Sequence, residues 1–319
     1  MSNPWFTGRE KCPACGSTTL RTLYESPFDE PPVKDYLLDF YSPQGRVESE
    51  YLRGAVYALC ECRGCGLIFQ RDIPNDELME RLYDHWIDPE IVFNREQEEH
   101  GLGYYAGYAQ EIMQVLAFSG KAPHFLNVLD FGMGWGKWAL MAKAFGCDAY
   151  GTELSLQRIE YAKANGIKVI AWDEIPEHRF DFINAEQVFE HLPEPLMTLR
   201  HLAGSLKTDG VLRVSVPAAR GVERRLRTMD WSARADSSDS LRQVAPLEHI
   251  NCFRGTSLAG MARTAGMVEV AIPARVQYGH RIDWSGPRTI TKNILRPPFR
   301  SIVKRQNRLF LRNASQGKA

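Results

Sequence analysis

Long apolar runs are missing from this sequence of 319 residues. No segment approaches the roughly eighteen uninterrupted apolar residues that mark a membrane-spanning helix. The N-terminal stretch MSNPWFTGREKC lacks the apolar core of a signal peptide, and internal repeats and low-complexity tracts are absent. We therefore expect a cytoplasmic globular protein without a transmembrane segment.

A net charge is also missing, because 39 Lys and Arg residues balance 39 Asp and Glu residues. No basic excess and no pattern of interleaved basic and aromatic residues points to nucleic acid, so we expect no nucleic-acid partner. Apolar residues make up 44% of the chain, which is ordinary for a globular protein. The sequence gives no indication of the oligomeric state.

Charge is nevertheless distributed unevenly along the chain. Residues 72–99 hold ten acids and two arginines, whereas residues 284–319 hold nine Lys and Arg and no acid. From Phe299 to Arg312, apolar residues recur near one helical face with basic residues around them, which predicts a basic amphipathic helix. Its expected contact is either the acidic segment 72–99 or an anionic membrane surface or partner.

Seven cysteines are present, and five of them lie in the first 65 residues, in the stretches CPACG and CECRGCG. In a chain without an export signal, C-x-x-C pairs favour tetrahedral zinc over disulfides. We predict one closed structural zinc site. Its expected ligands are Cys12, Cys15, Cys62 and Cys65. Cys60 stands outside the C-x-x-C spacing and is the alternative for one of these ligands.

The stretch NVLDFGMGWGKWALMAKAFG, residues 127–146, combines an apolar run, three alternating glycines and a helical pattern, which predicts strand, turn and helix. Such a turn lets a ligand approach the backbone and the free N–H groups of the helix. In one register, Gly134, Gly136 and Ala139 match the G-x-G-x-x-A pattern of dinucleotide enzymes, with Glu153 as the distant acid. In the other register, Asp130 precedes a G-x-G-x-G pattern. The turn alone leaves both ligand classes open.

Strand and helix patterns alternate from about residue 125 to residue 280. This alternation predicts a mostly parallel sheet with binding sites at the carboxyl ends of its strands. The expected fold class is α/β, Rossmann-like and doubly wound, preceded by a small zinc-ribbon-like module. The expected segments are a zinc-binding module (1–72), a helical connector (73–120), the α/β domain (121–284) and a basic C-terminal tail (285–319).

Six segments resemble, in order, the motifs of class I S-adenosylmethionine (SAM) methyltransferases of the small-molecule type. They are VLDFGMGWG, YGTEL, AWDEIP, VFEHLPEP, LKTDGVLRVSVP and HINCFRGTSLAGMARTAGM. A dehydrogenase does not require the Glu-His segment, so the resemblance favours the SAM register of the glycine turn. It implies a seven-stranded sheet, a methyltransferase domain over residues 121–284, SAM as the cofactor and a small-molecule acceptor.

The resemblance also implies the cofactor contacts. The glycine turn would meet the amino acid end of SAM, a carboxylate after the second strand would accept from the ribose hydroxyls, and residues after the third strand would contact adenine. The expected cofactor residues are Asp130, Gly132, Gly134, Gly136, Glu153, Leu154, Trp172, Asp173 and Gln187. Glu153 is the expected ribose ligand. For Asp173 a cap of the next turn, and for Trp172 a place in the core, are the alternatives.

Methyl transfer is an in-line displacement from a sulfonium, so the protein mainly aligns the acceptor and excludes water. His191 is the candidate catalytic residue, because the ordinary pKa of histidine lies near neutrality. Glu190, its neighbour, is the second candidate, and a purely structural histidine is the alternative. Residues 104–108, His249 and the polar segment 218–248 are expected to shape the acceptor site, the last as a lid or a disordered loop.

Two N-terminal cysteine motifs before such a domain resemble the bacterial enzymes that C-methylate nucleotide-linked deoxysugars, and related methyltransferases of polysaccharide and natural-product clusters. Two features differ from the sugar enzymes. Val188 stands where they carry a tyrosine, and their third, C-terminal domain has no counterpart before Ala319. The resemblance therefore supports the predicted architecture more strongly than it supports any particular methyl acceptor. A non-catalytic SAM-binding or zinc-dependent interaction module is the alternative function.

Overall fold

The computed structural model describes residues 3–43, 45–99, 101–219, 221–233, 237–273 and 307–314, together with residues 276 and 291. Contacts between Cα atoms divide the chain into two compact units. Unit 1 consists of residues 1–99, 187–199 and 216–265, and unit 2 of residues 100–186, 200–215 and 266–319. Each unit is thus assembled from three separate segments, unlike the four consecutive segments expected from the sequence.

The described strands, in chain order, are β1 (Phe6–Gly8), β2 (Leu20–Pro27), β3 (Val56–Cys62), β4 (Ile68–Gln70), β5 (Asp72–Pro74), β6 (Asn127–Phe131), β7 (Asp148–Thr152), β8 (Lys168–Val169), β9 (Phe180–Glu186), β10 (Leu206–Ser215), β11 (Asn251–Cys252), β12 (Met267–Glu269) and β13 (Arg308–Asn313). The described α-helices are α1 (Val33–Tyr41), α2 (Asp76–Arg81), α3 (Pro89–Glu99), α4 (Leu102–Ser119), α5 (Lys137–Ala144), α6 (Leu156–Ala164), α7 (Pro195–Gly204), α8 (Val222–Thr228) and α9 (Gly255–Thr264). A π-helical turn, Leu82–Trp86, follows α2 directly.

Unit 1 contains two antiparallel sheets. The larger sheet has the strand order β11-β4-β3-β2, and β1 pairs with β5 in the smaller one. Aromatic side chains dominate its core, where Phe28, Tyr57 and Trp86 are fully buried. Their large apolar surfaces stabilise a unit whose strands are short.

The described part of segment 218–248 contributes to this core, so the alternative of a disordered loop is wrong there. Trp231, Leu241 and Val244 are buried in the same cluster as the aromatic core of unit 1. α8 and a 3₁₀ turn, Arg242–Val244, give the segment regular structure. Its buried residues are spaced irregularly, so they show neither the two-residue period of a strand nor the 3.6-residue period of a helix.

Unit 2 is built on a seven-stranded, mostly parallel sheet, which confirms the predicted fold class. The strand order is β12-β13-β10-β9-β6-β7-β8. Strands β6 to β10 pair in parallel, whereas β13 runs antiparallel to β10 and β12. Strand β9 is buried along nearly its whole length, as expected for a parallel strand covered on both faces. The carboxyl ends of β6, β7 and β9 therefore meet at one edge of the sheet.

The C-terminal strand β13 contradicts the predicted amphipathic helix over residues 308–313. Leu309 and Leu311 are both buried, which is a period of two rather than 3.6. The Arg308 guanidinium lies 3.3 Å from a carboxylate oxygen of Glu111 in the same unit. Residues 299–306 of the predicted helix lie outside the described residues. Among the helices that are described, none is long and apolar enough to cross a bilayer.

Candidate cofactor site and metal centre

The glycine turn lies in unit 2, between β6 and α5. Gly132, Gly134 and Gly136 have φ angles of 64°, 54° and 67°, in the left-handed region that favours glycine. No described atom lies within 4 Å of the position that a Cβ on Gly134 would take. Backbone conformation, rather than close packing, therefore requires glycine there. The open turn leads into α5, whose first N–H groups have no partner within the helix and suit a carboxylate.

Glu153 follows β7 directly and is tied to the glycine turn. Its Oε2 accepts a hydrogen bond from the N–H of Gly134 at 2.8 Å. Its Oε1 accepts from the N–H groups of Leu154 and Ser155 at 2.9 and 3.2 Å. Because Oε2 has a second lone pair, this carboxylate can still accept a hydrogen bond from a ligand hydroxyl.

Asp130, at the end of β6, lies beneath the turn and not on its surface, since only 4% of the residue is exposed. Its Oδ1 accepts from Asn184 Nδ2 at 2.8 Å, and its Oδ2 accepts from the N–H of Ala139 in α5 at 3.3 Å. Burial raises the pKa of Asp130 to about 7 despite these two hydrogen bonds. Asp130 therefore holds the turn, β9 and α5 together.

A polar row continues from Asp130 across the sheet. Asn184 Oδ1 accepts from the Arg213 guanidinium at 2.9 Å. Arg213, which is buried, also pairs with Glu111 at 2.7 Å and with Glu186 at 2.8 Å. This row was not among the residues predicted from the sequence. Two carboxylates and an amide compensate the buried guanidinium charge.

The residues expected at adenine lie after β7 and β8. Leu154 is 93% exposed and Trp172 is 41% exposed, and Asp173 is also exposed. Trp172 therefore does not occupy the core. Its ring stacks on His201 with centroids 3.9 Å apart and planes 14° apart, and His201 Nε2 donates to the Trp172 carbonyl at 2.9 Å. No local pattern indicates His201, because this pair joins residues from two distant elements.

The Glu-His segment lies in unit 1, after β9 ends. Gln187 has a φ of 54°, a strained value for a residue other than glycine. The 3₁₀ turn Phe189–His191 follows, and Glu190 is only 1% exposed. His191 Nε2 lies 3.9 Å from Glu190 Oε1. The left-handed Gln187 ends the strand and precedes the turn that carries both candidate catalytic residues.

His191 is a neutral imidazole in this environment. Its Nδ1 lies 2.9 Å from the Glu248 carbonyl oxygen, and because a carbonyl only accepts, Nδ1 carries the proton. Burial and the neighbouring His249 lower the pKa of His191 to about 3. A free lone pair therefore remains on Nε2, but it is a weak base. The lowered pKa differs from the near-neutral value on which the sequence argument for His191 relied.

The four cysteines predicted as zinc ligands lie together in unit 1, and their Sγ atoms are all within 4.8 Å of one another. Cys12 and Cys65 are 3.6 Å apart, as are Cys15 and Cys62. A Zn–S bond of about 2.3 Å gives edges of about 3.8 Å in a regular tetrahedron, so the four sulfurs fit a zinc ion. Cys60 lies on β3 and is not part of this group.

Structures similar to this chain include several methyltransferases. PKMT2 from Rickettsia typhi, solved with AdoHcy, is 15% identical, with 65% of this chain and 53% of that chain covered and a TM-score of 0.39. The plantazolicin methyltransferase BpumL, solved with SAH, is 13% identical, with 74% and 94% covered and a TM-score of 0.46. CalS10, an amino pentose methyltransferase from Micromonospora echinaspora solved with SAM, is 19% identical, with 40% and 56% covered and a TM-score of 0.34.

This chain spans about half the length of the Rickettsia typhi protein, and identities this low carry no argument about substrates. A search of curated proteins found no match. The sequence profile of a family described as a methyltransferase domain matches residues 104–271. This match covers more than half of the chain and includes the glycine turn, Glu153 and the Glu-His segment. The chain therefore belongs to the methyltransferase-domain family.

Proposed function

We propose that the protein transfers a methyl group from SAM to a small-molecule acceptor, such as a nucleotide-linked sugar or a precursor of a natural product or polysaccharide. The observation that carries this proposal is the hydrogen bond from Gly134 to Glu153. It holds a carboxylate beside an open, left-handed glycine turn. SAM has a ribose with two hydroxyls, which can donate to the carboxylate, and a free amino acid end, which the open turn and the helix N-terminus can bind.

In this proposal the cofactor residues have different tasks. Gly132, Gly134 and Gly136 admit the amino acid end, with Gln187 near the end of β9 as a further contact. Glu153 accepts from the ribose, while Asp130 positions the turn from beneath. Leu154, Trp172 and Asp173 contact adenine, with Trp172 already held by its stack on His201.

We further propose that His191 acts on the acceptor and that Glu190 supports it at the catalytic site. The Nε2 lone pair of His191 suits a hydrogen bond from an acceptor O–H or N–H group, which orients the nucleophile. A histidine with a pKa of about 3 is a weak general base, so orientation is the role that its environment favours. Glu190, buried beside it, holds the turn on which His191 lies.

The cysteine cluster is proposed to hold one structural zinc ion. Four thiolates fill a tetrahedral coordination sphere and leave no position for water or substrate. Bound zinc would join the CPACG and CECRGCG stretches, and its role would be to stabilise unit 1 and not to take part in methyl transfer.

Two measurements test the function. Calorimetric titrations with SAM and with NAD should give binding for SAM and none for NAD, and the reverse result would reject the cofactor assignment. Incubation with methyl-labelled SAM and separate small-molecule, protein and nucleic-acid fractions of a cell extract should label the small-molecule fraction. Label in the protein or nucleic-acid fraction alone contradicts the acceptor class. SAM binding without label in any fraction supports the non-catalytic alternative.

A further inference from the structure

A group of metal-ligating side chains outside the cysteine cluster lies in unit 1. Glu190, His191 and His249 each offer one ligand atom, and these atoms lie within 4.8 Å of one another. The two imidazole rings have centroids 5.0 Å apart and planes 71° apart. Two imidazole nitrogens and one carboxylate oxygen form a recurrent ligand set for catalytic zinc and for non-haem iron.

Each of the two histidines keeps one ring nitrogen whose lone pair is available to a metal. Nδ1 of His191 donates to the Glu248 carbonyl, and Nδ1 of His249 donates to the Arg242 carbonyl. In each ring the lone pair therefore lies on Nε2. A carbonyl that accepts from the second ring nitrogen is the usual way in which proteins orient a histidine ligand.

The backbone around His249 is held firmly. Gln70, which is fully buried, donates to the carbonyls of Ala245 and His249 at 2.9 and 3.1 Å and accepts from the N–H of Leu247 at 3.3 Å. Leu247 has a φ of 72°, a left-handed conformation that a leucine rarely adopts without surrounding constraint. Such strained conformations persist where surrounding contacts hold them, and they cluster at active and ligand-binding sites.

The carbonyl that orients His191 is constrained through the side chain of its own residue, Glu248. The Tyr41 hydroxyl donates to the Glu248 side chain at 2.7 Å, and Tyr41 itself is fully buried in α1. Glu248 is therefore anchored at its side chain while its carbonyl faces His191. Both imidazoles are thus preorganised by contacts that come from outside their own turns.

We propose that Glu190, His191 and His249 bind one divalent transition-metal ion. Three protein ligands leave coordination positions open, so the ion would carry water or an oxygen or nitrogen ligand and polarise it. The two imidazoles favour Zn²⁺, Co²⁺ or Fe²⁺ over Mg²⁺ and Ca²⁺, which prefer all-oxygen sites. This site differs from the cysteine cluster, whose four thiolates close the coordination sphere.

The three proposed metal ligands all lie in unit 1, and metal binding does not depend on methyl transfer. Its relevance to catalysis rests on the proposed function, in which His191 acts on the acceptor. The Nε2 lone pair cannot bind a metal and accept a hydrogen bond at the same time. With the ion bound, His191 would therefore hold the acceptor through an oxygen or nitrogen atom on the metal.

Cobalt is a suitable probe. Protein with a zinc-loaded cysteine cluster, dialysed against a weak chelator, is titrated with Co²⁺ and followed by absorption. We expect about one Co²⁺ per chain with weak d–d bands and without thiolate charge-transfer bands. Glu190→Gln and His249→Ala should weaken Co²⁺ binding at least about tenfold. His85→Ala, which removes an exposed histidine of the same unit, should bind like the wild type.

Absence of Co²⁺ binding in the wild type overturns the proposal, as does unchanged affinity in both ligand variants or a thiolate charge-transfer band. Circular dichroism checks folding, and the isosteric Glu190→Gln decides alone if His249→Ala does not fold. SAM calorimetry on the same samples separates the two proposals. SAM binding without Co²⁺ binding rejects the metal site, whereas Co²⁺ binding without SAM binding rejects the proposed function.

Discussion

Replacement of Asp130 by asparagine should change how the stability of the protein depends on pH. In the wild type, burial raises the pKa of Asp130 to about 7, against about 3.9 for an aspartate in an unfolded chain. Between these two values the folded protein holds a proton that the unfolded chain has released. The free energy of unfolding of the wild type therefore falls as pH rises through this window.

The size of the effect follows from the pKa difference. About three pKa units, at about 1.4 kcal/mol each, correspond to at most about 4 kcal/mol. This relative stabilisation is fully present below about pH 4 and is lost by about pH 7. Asp130→Asn cannot ionise, so its stability lacks this decline. Its amide can accept from only one of Asn184 and Ala139 through oxygen, which adds a pH-independent loss of about 1 kcal/mol.

Urea unfolding followed by circular dichroism, between about pH 4 and pH 8, measures the difference between wild type and variant. The wild-type advantage should shrink with rising pH. Asp181→Asn is the matched control: although burial opposes ionisation, hydrogen bonds from Lys121 and Lys207 lower the pKa of Asp181. The contribution of ionised Asp181 to the free energy of unfolding should instead be lost as pH falls below about 4. A pH-independent difference for Asp130→Asn would refute the reasoning.

Three further predictions concern the two ligands and the acceptor. Glu153→Ala should weaken SAM binding by about 1 to 3 kcal/mol, the contribution of hydrogen bonds to a charged group; unchanged affinity by calorimetry contradicts the ribose role. Cys62→Ser should lose zinc in elemental analysis while Cys60→Ser keeps it, and wild type without zinc would exclude the structural site. His191→Asn should lower turnover about a hundredfold at nearly constant SAM affinity, because the shorter side chain no longer orients the acceptor, and turnover near wild type would assign His191 a structural role.

The glycine turn and the parallel strands were predictable because their signals are local. A strand, three alternating glycines and a helix occupy about twenty consecutive residues around Gly134. The left-handed φ angles of the turn follow directly from residue type. Glu153 was also predictable, because β7 is short and parallel to β6 and therefore ends beside the turn.

The cysteine cluster was predictable for a different reason. The chemistry of thiolates at C-x-x-C spacing requires the two motifs to meet, whatever the chain does between them. The intervening β2, α1 and β3, which pair and pack to bring the motifs together, have no such signature. Cys60 illustrates the same logic, since a cysteine outside the spacing lies in the strand and not in the cluster.

Contacts between distant segments could not be predicted from local patterns. β13 pairs with both β10 and β12, and the short alternation around Leu309 and Leu311 was overridden by a longer apparent helical pattern. His249 lies beside His191 on a segment that hydrogen bonds from Gln70 and Tyr41 hold in place. The pattern of a single sequence does not indicate which distant segments come into contact.

The polar row under the glycine turn nevertheless has a recognisable signal in the sequence. Asp130, Asn184 and Arg213 each interrupt an otherwise apolar run in a predicted parallel strand. Parallel strands covered on both faces bury every side chain, and a buried polar group without a partner is costly. The three residues are therefore expected to form hydrogen bonds with one another. The register agrees, since Asn184 is the direct partner of Arg213 on one side and of Asp130 on the other.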